Sequence, residues 1–298
     1  MAGRLVPFSQ KSSDDFEFEE KIGCGASSEV FRVCERRTGL TFAIKKISKV
    51  CNHRPDANRA FVELRALEGI RSPFVVELSA FFFDAEAFYI QMPYAGFGDL
   101  RLQLDAVQCF PEATAKVLAA QILLGLEDIH AHGVGHCDLK PENILISDTG
   151  RAIICDFELC CGSITEKSAE GTPAYMAPET LLNTSVQWQA SACDVWGFGV
   201  LLYELVVGET PFASVNRYQT YKKIIAAEFA PSEVLSPVCL ELITQLLVPE
   251  ISQRAGCGVE GIVELKWHAF FEGINWSALR NGNCPNLKEE FVRPLLGV

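Results

Sequence analysis

At 298 residues, 49% hydrophobic and 21% charged, the chain has the composition of a globular protein with one two-lobed domain or two small ones. A net charge of −12 argues against a nucleic-acid or anionic-membrane surface and suits cationic peptide partners. No run approaches the roughly eighteen apolar residues of a membrane span, and Met1-Ala2-Gly3-Arg4 reads neither as a secretion signal nor as a myristoylation site.

Residues 1–14 form a polar lead-in, and from Phe16 the run Phe16-Glu17-Phe18-Glu19 alternates as a strand does. The text from Lys21 to Val33 predicts two strands around a turn bearing Gly23 and Gly25, where backbone N–H groups can approach phosphates. Phe42-Ala43-Ile44-Lys45-Lys46-Ile47 predicts a strand with a lysine set in it. A helix over 59–70 follows, with Glu63 beside a stripe of Leu64, Leu67 and Ile70. Residues 74–91 read as two strands, 74–78 and 87–91, and the run from Met92 to Leu100, with its proline and two glycines, reads as a crossing between lobes. A helix over 111–132 ends at Gly133. Residues 144–146 and 152–155 predict a short hairpin, and 190–207 a near-continuously apolar helix. Asp194 inside that helix is costly unless hydrogen-bonded.

The chemistry concentrates in His136-Cys137-Asp138-Leu139-Lys140-Pro141-Glu142-Asn143 and in Asp156-Phe157-Glu158. Asp138, Lys140, Asn143 and Asp156 offer a proton acceptor, a cation and two metal-directed groups. Phosphoryl transfer from a metal-bound nucleotide needs that set, because its catalysis is mostly positioning and charge stabilisation. A dinucleotide-binding oxidoreductase is excluded, since its glycine turn opens a helix whereas Val30-Phe31-Arg32-Val33 continues as a strand.

Taken in order from residue 16 to 276, these motifs resemble eukaryotic serine/threonine protein kinases of the AGC group, the phosphoinositide-dependent kinase being the nearest echo. The resemblance implies a two-lobed α+β fold. A small lobe over 16–91 carries an antiparallel sheet with one main helix, the hinge is 92–98, and the mostly helical large lobe is 99–276. Residues 1–15 and 277–298 are expected as tails. The implied activity is transfer of the ATP γ-phosphate to protein hydroxyls, with Mg²⁺. Asp138 would accept or orient the substrate's proton, Lys140 would neutralise the γ-phosphate, and Asn143 and Asp156 would hold magnesium. Lys45 would bind the α- and β-phosphates, paired with Glu63; Glu68 is the runner-up.

Ile22, Gly23 and Gly25 would cover the nucleotide, with Ser28 at the third glycine position. Val30, Ala43 and Leu145 would sandwich adenine. Met92 would stand at the back of its pocket, the Pro93-Tyr94-Ala95 backbone would bind its edge, and Asp99 would reach the ribose. Asp194 would tether the catalytic loop and Glu179 would pair with Arg254. Leu67, Leu78, His136 and Phe157 would form a column between lobes, although each taken singly reads as an ordinary core residue. Lys140 and Gly171-Thr172-Pro173 point to serine and threonine as acceptors.

Two departures from the family pattern matter. Cys137 replaces the arginine that gathers an activation-loop phosphate, so activity should depend weakly on phosphorylation at Ser163, Thr165 or Ser168. Glu158 stands where the family has glycine and adds negative charge beside the metals, which keeps a pseudokinase scaffold as the alternative. Glu142 and Glu204 correspond to positions that hold an upstream substrate arginine, so basic protein substrates are expected. Only 22 residues follow Trp276, with no phenylalanine-rich motif, so a partner is expected to supply one to the small lobe. The twelve cysteines show no metal-ligand spacing and read as reduced, small apolar filling in a cytoplasmic protein, with the nucleus as a second location. Cys24, Cys137 and Cys155 fall in or beside the site, where redox sensitivity is the other reading.

Overall fold

The alternation at Phe16 opens β1 (Phe16–Cys24), which pairs antiparallel with β2 (Ser28–Glu35), as does β2 with β3 (Thr41–Ser48). The computed structural model describes residues 11–25, 28–49, 57–161, 163–164, 172–182, 188–285 and 287–292. After α1 (Ala57–Gly69), β4 (Ala80–Phe83) and β5 (Ala87–Pro93) complete an antiparallel sheet of order β1-β2-β3-β5-β4. Side chains of a strand alternate between faces. In β3 this puts Ile44 on an outer cluster with Phe16, Val33, Phe82 and Tyr89, while Ala43 and Ile47 join the main core. Lys45 shares the inward face with Ala43 and Ile47, which turns its ammonium toward the large lobe.

The large lobe follows with α2 (Leu100–Val107), α3 (Glu112–Ala131), the hairpin β6 (Ile144–Ile146) and β7 (Ala152–Ile154), and the short elements β8 (Ser163–Ile164), α4 (Pro178–Leu182) and β9 (Trp188–Gln189). Then come α5 (Ser191–Val207), α6 (Arg217–Ala226), α7 (Pro237–Leu246) and α8 (Trp276–Arg280). Gly133, at φ +75°, ends α3 in the left-handed conformation that suits glycine. Within α3, Gly125 lets the helix approach its neighbours: a Cβ there would lie 2.8 Å from Ile154 Cδ1 and 2.9 Å from the Phe74 carbonyl oxygen. No helix of the described residues is long and apolar enough to cross a membrane.

Residues 74–78 do not form the expected strand. Val76 N–H donates to the Ile154 carbonyl at 2.9 Å and Ile154 N–H to the Phe74 carbonyl at 2.8 Å, so this segment spends its backbone groups on the large-lobe hairpin. Phe74, Val75 and Val76 are buried there, and burial produced the strand-like apolar run. The segment after 276 also packs. Leu287 and Phe291 are buried, and Phe291 meets the rings of Phe97 and Phe110 at 5.9 and 6.0 Å.

Arg254 and Glu179 lie in the large-lobe interior as expected, 2% and 6% exposed, with two guanidinium–carboxylate contacts at 2.8 and 2.9 Å. Arg254 also donates to the Val248 and Ala192 carbonyls, each at 2.8 Å, so its buried charge is fully engaged. Removing one member of such a pair strands the other's charge at a cost of about 3–5 kcal/mol. Arg254→Ala is therefore expected to lose about that much unfolding free energy. A lower urea midpoint at unchanged slope would show it; an unshifted midpoint would contradict it.

Candidate active site

Asp194 organises the loop over residues 136–143 from beneath. It is 0% exposed, and its carboxylate accepts the His136 N–H at 2.8 Å and the Cys137 N–H at 2.7 Å. His130 Nε2 lies 2.8 Å from the same carboxylate. The polar cost foreseen for this aspartate is thus met by three contacts, two of which hold loop backbone. Cys137 and Asp156 have φ of +67° and +65°, two left-handed non-glycine residues at the ends of the site. His136 is packed rather than poised as a base: it is 0% exposed, its Nε2 contacts the Cys155 carbonyl at 2.8 Å, and its ring meets Phe157 edge-on at 5.0 Å. Leu67 and Phe157 are buried in one cluster, against which Leu78 is partly buried.

Asp138 lies at the centre of the loop's polar groups. Lys140 Nζ is 2.5 Å from Asp138 Oδ2 and 3.1 Å from the Thr172 hydroxyl. Asn143 Nδ2 donates to the Asp138 carbonyl at 2.8 Å and to Oδ2 at 3.1 Å. Those bonds leave the amide oxygen, a hard donor of the kind magnesium takes, outside the pair of contacts. The carboxylate of Asp156 supplies the other hard donor, and a donor set of carboxylate and amide oxygens fits a magnesium ion.

Lys45 Nζ sits among three carboxylates, at 2.9 Å from Glu63, 2.7 Å from Asp156 and 2.9 Å from Glu158. Glu63 rather than Glu68 is the α1 carboxylate on the lysine. Burial alone would lower the Lys45 pKa, but the charges of Glu63, Asp156 and Glu158 outweigh it and hold the ammonium well above its usual value. Burial raises Glu63, with Asp156 and Glu158 adding to it against the pull of Lys45. Burial works on Asp156 too, yet Lys45 prevails and its carboxyl is held low. Glu158 Oε1 further accepts from the Ser28 hydroxyl at 3.4 Å, joining the turn after Asp156 to β2.

A cleft of about 550 Å³ opens between the lobes. Ile22, Gly23, Gly25, Val30, Ala43, Lys45, Glu63, Met92, Tyr94, Ala95, Asp99, Asn143, Leu145 and Asp156 all line it. Asp138 lines a smaller adjoining cavity with Thr172 and Tyr175, reaching the cleft through its bonds to Asn143. Asp99 also caps α2, accepting the Leu102 N–H at 2.8 Å, while burial raises its pKa. The turn beyond Gly25 includes Ala26 and Ser27, which lie outside the described residues, as do Thr165, Ser168 and Gly171; only the backbone of Ser163 is described.

Nothing in the sequence pointed to the contacts that two residues make. Thr172 reaches Lys140 through its side chain, and Arg101 occupies the two carboxylates expected to receive a substrate arginine. Arg101 Nη2 hydrogen-bonds Glu204, and its Nε lies 3.6 Å from Glu142. The Tyr175 hydroxyl donates to the same Glu204. Burial would lower the Arg101 pKa, but Glu204 outweighs it and raises the guanidinium further. Arg101 carries no motif signal, because a lone arginine two residues past a capping aspartate reads as a solvated helix charge.

The protein kinase domain family matches residues 16–271 of this chain. The serine/threonine protein kinase ypkA of Aspergillus fumigatus is 34% identical over 273 residues, 89% of this chain and 42% of that protein. The 3-phosphoinositide-dependent protein kinase B of Dictyostelium discoideum is 34% identical over 290 residues, 94% of this chain and 31% of its own length. The 3-phosphoinositide-dependent protein kinase 1 of Rattus norvegicus is 33% identical over 288 residues, 93% of this chain and 51% of that one. The chain thus spans from 31% to 51% of the length of these relatives. They are the kind of protein that the order of motifs resembles. A five-stranded antiparallel lobe over a helical one, together with a match across nearly all of both, establishes that the chain belongs to the protein kinase domain family.

Proposed function

We propose that the chain is an active serine/threonine protein kinase, transferring the γ-phosphate of ATP to protein hydroxyls with magnesium. The observation that carries this reading is the convergence of Lys45, Glu63 and Asp156 within ion-pair distance across three segments. Asp138 is within reach of Lys140 and Asn143 beside them. Asn143 and Asp156 are the residues suited to hold magnesium, which when bound neutralises charge on the phosphates. Asp138 would orient the acceptor hydroxyl and take its proton, and Lys140 would offset charge gathering on the transferred group. Lys45, held by Glu63, would bind the remaining phosphates. The relatives named as serine/threonine kinases support that acceptor class.

Glu158 is the observation favouring the scaffold alternative, since it places a further carboxylate on Lys45. It does not displace Glu63 or Asp156, and all the charged groups of the reaction are retained, which favours catalysis. Incubated with labelled ATP, magnesium and a basic protein, the chain is expected to label serine or threonine. Lys45→Met and Asp138→Ala should each lower incorporation by at least about a hundredfold. A wild-type chain that neither binds ATP nor transfers label would overturn the reading.

Activation is proposed to depend weakly on loop phosphorylation, because Cys137 offers no cation to a phosphate. Alanine at Ser163, Thr165 and Ser168 together should leave turnover within about tenfold, a factor worth about 1.4 kcal/mol; a loss of about a hundredfold would contradict this. A partner's hydrophobic motif finds support in an aromatic patch between α1, β4 and β5. There Phe61 and Phe83 are 39% and 53% exposed around Phe88.

Substrate choice is proposed to turn on Arg101. An arginine that already holds Glu142 and Glu204 must be displaced before a basic peptide can use them. Selection for upstream arginine should therefore be weak in the wild type and strengthen in Arg101→Ala by about tenfold, the value of one charge-assisted contact. A peptide array that shows the same arginine selection for both proteins would refute it.

A further inference from the structure

Two thiols face each other between the catalytic loop and the segment that follows Asp156: Cys137 Sγ lies 3.5 Å from Cys161 Sγ. The backbones beside them are joined in both directions. Gly135 N–H donates to the Cys161 carbonyl at 2.8 Å and Cys161 N–H to the Gly135 carbonyl at 3.1 Å. Cys137 is also fixed from below, its N–H bound to Asp194 and its backbone left-handed. Their contact is therefore built by the chain's path rather than by free side-chain rotation. The neighbouring cysteines are otherwise engaged. Cys160 is buried with its thiol 4.0 Å from the Val62 carbonyl, and Cys193 lies 3.5 Å from the Thr180 hydroxyl.

We propose that Cys137 and Cys161 are a reversible oxidation site, closing to a disulfide that ties the catalytic loop to the start of the activation segment. The S–S bond of about 2.05 Å requires the sulfurs to approach by about 1.5 Å. With a hydroperoxide as oxidant, one cysteine sulfur attacks the O–O bond, leaving a sulfenic acid and releasing an alcohol, or water when the oxidant is hydrogen peroxide. The second thiol attacks the sulfenic sulfur, the S–S bond forms, the S–O bond breaks and water leaves. Two electrons pass from the sulfurs to the peroxide, and a dithiol returns them by exchange. The thiol contact itself, and then burial, push the Cys137 pKa well above its usual value. The bridge accordingly forms slowly and records sustained oxidation rather than a single turnover. Its chemistry stands on the placement of the thiols; its bearing on regulation rests on the proposed kinase activity.

The test treats the full chain with hydrogen peroxide, blocks remaining thiols with N-ethylmaleimide, and maps digested peptides by mass spectrometry without reduction. A peptide pair joined through Cys137 and Cys161 is expected to dominate, with Tm raised by about 5 °C because the link constrains the unfolded chain. Dithiothreitol should reverse both changes, and Cys137→Ser and Cys161→Ser should each abolish them. Separately alkylated Cys137 and Cys161, linkage of other cysteines in their place, or an unchanged Tm shift in either variant would overturn the proposal. A bridge in a chain without transferase activity would leave this site standing and defeat the functional reading. Activity without a bridge would do the reverse.

Discussion

One ammonium is the point on which the architecture converges. Lys45 comes from the middle of the sheet, Glu63 from α1, and Asp156 and Glu158 from the turn after the large-lobe hairpin, so a single Nζ joins small-lobe and large-lobe segments. At 5% exposure that charge would be very costly alone. It is tolerable only while the carboxylates stay close, and they stay close only while sheet, helix and turn keep their relative positions. The site thus acts as a gauge of lobe geometry: its electrostatic balance and the packing of the two lobes are one condition.

The same logic recurs deeper in the large lobe. Asp194 exchanges its hydration for two loop N–H groups and a histidine, and Glu179 exchanges its own for the Arg254 fork. A buried ion pair adds little stability over an apolar filling, because desolvation consumes the Coulomb gain. What these pairs do contribute is placement. The Asp194 carboxylate has one arrangement that serves both N–H groups, and that arrangement holds the backbone immediately before Asp138.

How far the text of the chain revealed all this depended on the kind of signal. Strands β1 to β3, helices α3 and α5 and the hairpin were legible from periodicity, because each buries a regular face. The polar cluster was legible because unlike residues in a fixed order have few bland explanations. Phe74 to Leu78 misled for a physical reason: burial against the hairpin demands the same apolar run as a sheet does, and only the hydrogen-bond partner differs. Arg101 was illegible because its meaning lies wholly in what it touches, Glu204 across about a hundred positions of sequence. Glu158 was noticed as a departure, but its contacts with Lys45 and Ser28 required three dimensions.

The segment that contains Phe291 and Val292 bears on the connection between lobes. Gln103, 0% exposed, takes the Val292 N–H on its amide oxygen at 2.7 Å. From its amide nitrogen it donates to the Val292 carbonyl at 2.7 Å and to the Phe97 carbonyl at 2.6 Å. One glutamine side chain thereby stands in for a strand partner and splices the 287–292 segment onto the crossing segment. Peeling that segment away would unseat Phe291 from Phe97 and cut bonds of the same amide, so loosening of residues 287–292 and slackening of the crossing are thermodynamically a single event.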